Sequence, residues 1–253
     1  MSGIDYLAAY YGEINERLRR ILKTQRTNLE KSAELLADAI SEDRLIYLFG
    51  VGGHSHVGSE EFFYRAGGLA NVSPMYDLSL TLAGGGQKST LLERVEGYGD
   101  KVVKAHHLQA GDLLIITSVY GMNACTLDAA LEAKRRGCTV VAITSVEAAE
   151  ATPRDFVARH SSGHSLHEVA DVVIDTQVPY GDVTVSVDGV AEKVGGSCNV
   201  LQCFCINALV VETVRRCTER GIKPPLWASA NVEGGDDRNR ALLESYTPRV
   251  KYL

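Results

Sequence analysis

The chain has 253 residues, 45% hydrophobic and 23% charged, with a net charge of −6. That length suits one large α/β domain with a full core. The acidic balance repels nucleic acid and anionic membrane, so neither is expected as a partner, and an anionic small molecule has to be held by local donors.

Residues 3–41 are predicted to form one long helix or two abutting ones. Ile14, Leu18, Ile21, Leu22, Leu29, Ala33, Leu36 and Ile40 recur at three- and four-residue steps, with Glu, Arg and Lys between them. So long a helix ahead of the first strand either packs partly on a second subunit, which points to a homodimer or homotetramer, or folds back over its own domain. Then strands and helices alternate: strand 44–50, helix 57–67, strand 71–77, helix 88–106, strand 112–118, helix 123–136 and strand 138–144. That alternation predicts a mainly parallel sheet of about five strands with helices on both faces, a three-layer α/β/α sandwich. Gly137 follows Lys134-Arg-Arg136 as the Gly stop of a helix with cations at its negative end.

After Ser145 the rhythm breaks. Residues 146–161 are polar and read as a surface excursion, 165–170 as a short helix and 171–176 as a buried strand. Asp188-Gly189 between apolar runs signals a β-hairpin with a two-residue turn. Residues 197–220 read as an apolar helix, and the last thirty as an extended, Gly- and Asn-rich tail with one short helix near 240–245. No repeat or domain boundary is visible. The division is a helical segment 1–41, an α/β core 42–221 and a tail 222–253 within one domain.

The six cysteines sit mostly in apolar surroundings and read as reduced core thiols. The amino terminus lacks the basic and apolar regions of a signal peptide, and no apolar run approaches the roughly 20 residues that cross a bilayer. A cytoplasmic location is expected.

Two strands run into small-residue loops that open helices: Gly50-Val-Gly-Gly-His-Ser-His56 and Ser118-Val-Tyr-Gly-Met-Asn123. A helix start offers unpaired N–H groups and a partial positive charge. Two such loops on neighbouring parallel strands aim their donors at one crevice beyond the strand ends, where open α/β sheets bind ligands. Gly52, Gly53, His54, Ser55, Ser118, Tyr120, Gly121, Met122 and Asn123 are therefore candidate anion or phosphate binders, with Ser145 at the next strand end and Lys193 after the hairpin. The bland alternative is that Ser and Asn are simple helix caps. A dinucleotide site is disfavoured, because the first loop lacks the third spaced glycine of that fingerprint.

These loops, with Ala133-Lys-Arg-Arg-Gly137 and Val140-Val-Ala-Ile-Thr-Ser145, resemble the SIS (sugar isomerase) domain superfamily over residues 40–220. The long leading helix and Gly-Gly loop look more like its phosphoheptose isomerase branch than its glucosamine-synthase branch. His54-Ser-His56, Glu60-Glu61, Tyr64-Arg-Ala-Gly-Gly68, His160-Ser-Ser-Gly163, Val178-Pro-Tyr-Gly-Asp182 and Ser229-Ala-Asn231 with Gly234-Gly-Asp236 are similar to the UPF0309 type of sugar isomerase domain proteins. The resemblance implies a phosphorylated sugar or amino sugar as ligand. Two positions depart from the superfamily pattern: Tyr120 stands where Ser-x-Ser-Gly has its second serine, and the first loop carries an extra glycine.

Aldose–ketose isomerisation needs a base that moves a proton between adjacent carbons, and gains from a group that opens the ring. Glu60 and Glu61 are the candidate bases, with His56 four residues before Glu60. The alternative is acids that merely favour a helix start. His160, with His164 and His167 spaced for one side of a turn, is either a ring-opening acid, part of a metal site short of a clear fourth ligand, or solvated. The reading is a sugar-phosphate isomerase with no metal and no cofactor. A lyase or etherase on an amino-sugar phosphate, and a phosphosugar sensor without turnover, are the rivals.

Overall fold

The structure, a computed structural model, describes residues 3 and 5–253. Residues 1, 2 and 4, which carry most of the amino terminus read above for a leader and part of the first predicted helix, lie outside the described residues. The long amino-terminal pattern resolves into two helices, α1 (Tyr6–Thr24) and α2 (Arg26–Ser41). Asp5 starts α1 by accepting the N–H groups of Leu7 and Ala8 at 3.1 and 3.0 Å. Gln25 breaks the pair with φ −104° and ψ 2°.

The rest runs β1 (Ile46–Gly50), α3 (Gly52–Phe62), β2 (Val72–Pro74), α4 (Gly86–Leu92), α5 (Tyr98–Ala105), β3 (Leu113–Thr117), α6 (Ala124–Arg135), β4 (Thr139–Thr144) and α7 (Val146–Ala151). It continues with α8 (Leu166–Val169), β5 (Val172–Asp175), β6 (Val183–Val185), β7 (Val194–Gly196), α9 (Cys198–Glu219) and α10 (Gly235–Tyr246). Among the described residues one five-stranded sheet has the order β2-β1-β3-β4-β5, every neighbouring pair parallel. This is the α/β/α sandwich expected from the alternation.

The two-residue period of the strands sorts their side chains into two cores. Ile46, Leu48, Leu113, Ile115, Val141 and Ile143 face Leu36 of α2 and Leu201, Ile206 and Leu209 of α9. Phe49, Leu114, Ile116, Val140 and Ala142 face Val103 of α5 and Ala129 and Ala133 of α6. By composition alone α9, 22 residues at mean hydropathy 1.2, is long and apolar enough to cross a membrane. Instead it packs against α2 and α3, with Leu201, Cys205, Ile206 and Leu209 fully buried.

Five elements differ from the sequence reading. Helix α3 begins five residues before the predicted 57, because Gly52 at φ +80° turns the chain straight from strand into helix. The predicted helix 88–106 is broken into α4 and α5, and Gly97 at φ +80° separates them. The predicted excursion 146–161 opens with α7, which Ser145 caps by accepting the Ala148 N–H at 3.1 Å. The hairpin is wider than a two-residue turn: Val185 pairs with Val194, leaving residues 186–193 as the loop around Asp188-Gly189. In the tail α10 is longer than the predicted 240–245, and Trp227, Tyr246 and Val250 bury against Ala70.

Candidate functional site

β1 and β3 are neighbours, with Gly50 opposite Thr117. From β1 the sheet grows one way to β2 and the other way through β3 to β5, so their carboxyl ends form the topological switch point. The junction is tight. Thr117 Oγ1 donates to the Ser55 carbonyl at 2.8 Å and lies 3.2 Å from Ser59 Oγ, leaving no room for a side chain at Gly50. At the second loop Ser118 Oγ accepts the Gly121 N–H at 3.1 Å and closes the turn. A Cβ on Gly121, at φ +57°, would meet Leu166 Cβ and Thr144 Oγ1 at 2.8 Å.

Over this junction lies a cavity of about 320 Å³, lined by His54, Glu93, Arg94, Tyr120, Met122, Asn123, Tyr180 and Gly181, with Thr152, Phe156 and Ala158 closing the far wall. The first turn of α3 contributes His54, whose carbonyl accepts from Gln202 Nε2 of α9 at 2.8 Å. Burial pushes the His54 imidazole below its ordinary value, and the Asp182 carboxylate pulls it back up. Glu93 ends α4 directly above the α3 start: its Oε2 stands 2.5 Å from where a Cβ on Gly52 would sit. Its carbonyl accepts the Cys125 N–H of α6 at 2.9 Å, so it spans both helix starts. Burial raises the Glu93 carboxyl above the usual range, opposed by Arg94 and by a hydrogen bond from Asn123. Arg94 is exposed on the cavity rim.

The structure thus brings Gly52, Gly53, His54, Ser55, Ser118, Tyr120, Gly121, Met122 and Asn123 to one junction. Gly53 packs under Leu82 and Ser55 is only 2% exposed. The other expected residues lie elsewhere. Glu60 Oε1 is 3.3 Å from His56 Nε2, and His56 stands edge-on to Tyr76 at 5.0 Å, both off the cavity. Glu61 accepts from Asn207 Nδ2 at 2.9 Å and faces Arg65 in a second cleft with Tyr64 and Trp227. Ser145 is fully buried and donates to the Val178 carbonyl at 2.6 Å, and Lys193 is exposed on the hairpin loop. His160 Nε2 lies 3.3 Å from Asp128 Oδ1, while His164 faces Glu168 and His167 faces Glu150. The three imidazoles diverge, and among the described residues no three His, Cys, Asp or Glu side chains are placed to hold a metal ion.

Sequence reasoning passed over Glu93, Arg94 and Asp182. The first two fall inside the stretch predicted as one helix. Asp182 ends the Val178-Pro-Tyr-Gly-Asp182 motif, whose Pro and Gly mark a turn at a strand end, and that was the available signal.

A doubly wound parallel sheet with a cavity at its switch point is the arrangement in which open α/β domains bind ligands. A family model described as the SIS domain matches residues 9–145. A UPF0309 protein of Caldanaerobacter subterraneus subsp. tengcongensis is 39% identical over 250 residues, 98% of this chain and 100% of that protein. The chain belongs to the SIS domain family and, within it, to the UPF0309 proteins. The fold is shared with a phosphoheptose isomerase from Neisseria gonorrhoeae at TM-score 0.52 and 18% identity, covering 83% of this chain and 97% of that one. It is shared also with the Vibrio vulnificus NanR protein complexed with ManNAc-6P, at TM-score 0.50 and 14% identity, covering 97% of this chain and 70% of that one.

Proposed function

We propose that this protein binds a phosphorylated sugar in the switch-point cavity and interconverts its aldose and ketose forms. The single observation that carries the reading is that the Glu93 carboxyl, from the end of α4, and the His54 imidazole, from the first turn of α3, line one cavity of about 320 Å³. Phosphate is the anion that Arg94 and the N–H groups at the starts of α3 and α6 suit. Glu93 takes the proton from the carbon beside the carbonyl, the electrons form an enediol, and the proton returns to the adjacent carbon. A carboxyl raised above its ordinary range by burial suits that task. His54, neutral at physiological pH because burial favours the uncharged ring, exchanges a proton with the sugar oxygens and opens the ring. Ser118 and Tyr120 shape the loop, while Glu60, Glu61 and His160 stand outside this chemistry.

The fold shared with a phosphoheptose isomerase and with a protein complexed with ManNAc-6P supports a phosphosugar as ligand. The six free cysteines support a reducing, cytoplasmic setting. An apolar groove of about 370 Å³ between α2 and α9, with Val211 69% exposed, supports a homo-oligomer.

Thermal-shift screening against aldose, ketose and amino-sugar phosphates tests the ligand class. A ligand at 100 times its Kd stabilises the fold by about 2.7 kcal/mol. A hit that the protein then converts to its isomer supports the proposal. Binding without conversion favours a sensor, and a hit cleaved to a smaller sugar phosphate favours the lyase.

A further inference from the structure

His160-Ser-Ser-Gly163 is one of the motifs that the chain shares in pattern with the UPF0309 proteins, yet none of its residues lines the cavity. The structure gives it a different task. The motif lies in the loop 152–165 between α7 and α8, whose Thr152, Phe156 and Ala158 form the far wall. Arg159 stiffens that loop from within. Its guanidinium donates to the carbonyls of Ala149, Thr152 and Pro153 and to Ser165 Oγ, at 2.7, 2.8, 3.0 and 2.9 Å.

Another wall depends on residues 93–97. Glu93 and Arg94 line the cavity, and Gly97, at φ +80°, ends the segment where α5 begins. Two backbone donors moor this segment to α6. The Cys125 N–H reaches the Glu93 carbonyl at 2.9 Å, and the Gly97 N–H reaches Asp128 Oδ2 at 2.6 Å. Further contacts join both to the motif. Asp128 Oδ1 lies 3.3 Å from His160 Nε2, and the His160 N–H donates to the Met122 carbonyl at 2.9 Å. The Ser161 N–H and hydroxyl donate to the two carboxylate oxygens of Glu96 at 2.6 and 2.8 Å. The geometry also fixes the His160 ring. The Ser162 N–H, which can only donate, lies 3.0 Å from Nδ1, with the Ser162 hydroxyl 2.8 Å from the same atom. Nδ1 therefore accepts, and the proton sits on Nε2, toward Asp128. One carboxylate thus receives the backbone of the Glu93 segment and the imidazole of the far-wall loop. The His160 and Asp128 side chains are 11% and 10% exposed, so water competes little at this joint.

We infer that Glu96, Asp128, His160 and Ser161 form a buckle that joins two walls of the cavity over the first turns of α6 and so sets the position of the Glu93 carboxyl. The four are positioning residues: none lines the cavity, and each acts through the backbone of residues 93–97. The buckle rests on the proposed role of Glu93 as the base. Glu93 needs such support because it ends α4 and is followed by non-helical chain up to α5, so no helix of its own holds it. A misplacement of about 1 Å at a reacting group costs about 10²-fold in rate. The buckle accounts for a histidine and a serine pair where no ligand is touched. It also accounts for a carboxylate on α6 turned back onto the chain that precedes α5.

The two halves of the buckle can be opened separately. Glu96 and Ser161 are exposed, so Glu96→Ala removes the outer half with little effect on packing. Glu96→Gln keeps an oxygen for the Ser161 N–H and offers an amide N–H to the Ser161 hydroxyl, so the outer half re-forms without charge. Asp128→Asn opens the inner half. Its amide oxygen still suits the Gly97 N–H, but its NH2 then faces the His160 Nε2–H, donor against donor.

The test compares wild type, Glu96→Ala, Glu96→Gln and Asp128→Asn by imidazole nitrogen NMR, amide hydrogen exchange and kcat for the sugar phosphate that wild type converts in the ligand screen. Wild-type His160 is expected as a single tautomer protonated on Nε2, and Asp128→Asn is expected to lose it. In Glu96→Ala the Gly97 and Cys125 N–H groups should exchange about tenfold faster. Its kcat should fall about tenfold or more, with Tm within about 4 °C of wild type. Glu96→Gln should recover kcat to within about threefold of wild type, which general loosening of the fold would not produce. Wild-type kcat in Glu96→Ala, or a Glu96→Gln no better than Glu96→Ala, overturns the buckle and leaves the isomerase reading intact. If wild type converts no sugar phosphate, the isomerase reading falls by itself and exchange decides: faster exchange at Gly97 and Cys125 in Glu96→Ala keeps the joint, and unchanged exchange overturns it. Should Asp128→Asn not fold, the two Glu96 variants decide in the same way.

Discussion

At the scale of single residues, Glu93, the proposed base, also burdens the fold. Burial raises its carboxyl above the ordinary range, so folded protein keeps a proton there over a pH window in which the unfolded chain has lost it. The stability this contributes is present below the unfolded carboxylate value and is lost as pH rises through the folded value. Above that, an ionised carboxylate is held in a partly dry site. Glu93→Gln is therefore expected to raise Tm at pH 8 and to leave it nearly unchanged at pH 4, measured by calorimetry at both. A gain of equal size at the two pH values would mean that the charge is not the cause. Legibility was mixed at this scale. Gly52, His54 and Asn123 were readable because loop chemistry at a strand end is local. Glu93, Arg94 and Asp182 were not, because nothing in Leu91-Leu-Glu-Arg94 says that a helix ends there and turns its carboxylate over Gly52.

At the scale of elements, boundaries decided which side chains met. Starting α3 at Gly52 puts His54 in the first turn, over the crevice, and moves Glu60 and Glu61 to its far end. A helix beginning at 57, as the sequence suggested, would have kept the two glutamates beside the loop. The break at Gln25 has a comparable consequence. Its side chain is 8% exposed, and its Oε1 accepts the Asp175 N–H at 3.1 Å, covering the outer edge of β5. The sequence showed an uninterrupted apolar stripe and left the choice between one helix and two open, since a glutamine that caps a distant strand edge leaves no local mark. Gln25→Ala is expected to cost about 1–3 kcal/mol, because a buried N–H loses its acceptor. At this chain length each kcal/mol lowers Tm by about 2–4 °C. A Tm within a degree of wild type would show that water replaces the glutamine.

At the scale of the whole molecule, the order of elements was the most legible feature. Strand–helix alternation and unbroken runs such as Cys138-Thr-Val-Val-Ala-Ile-Thr144 follow from burial on both faces, which any sequence of this fold has to satisfy. The parallel sheet β2-β1-β3-β4-β5 then places the switch point, and with it the cavity, between the two loops that carried the earliest signal. The tail was less legible, because Trp227 and Tyr246 bury against Ala70 through contacts distant in sequence. The functional account depends on one juxtaposition made by the whole fold, a carboxyl from α4 and an imidazole from α3 facing one cavity. The most direct test is proton exchange at the sugar carbon, followed by NMR in deuterated water with a sugar phosphate that binds. Wild type is expected to place solvent deuterium on the carbon beside the carbonyl while forming the isomer. Glu93→Gln should bind the same sugar and exchange about 10²–10⁴-fold more slowly. Exchange at the wild-type rate in Glu93→Gln, or isomer formation that depends on Glu60 or Glu61 instead, would contradict the account.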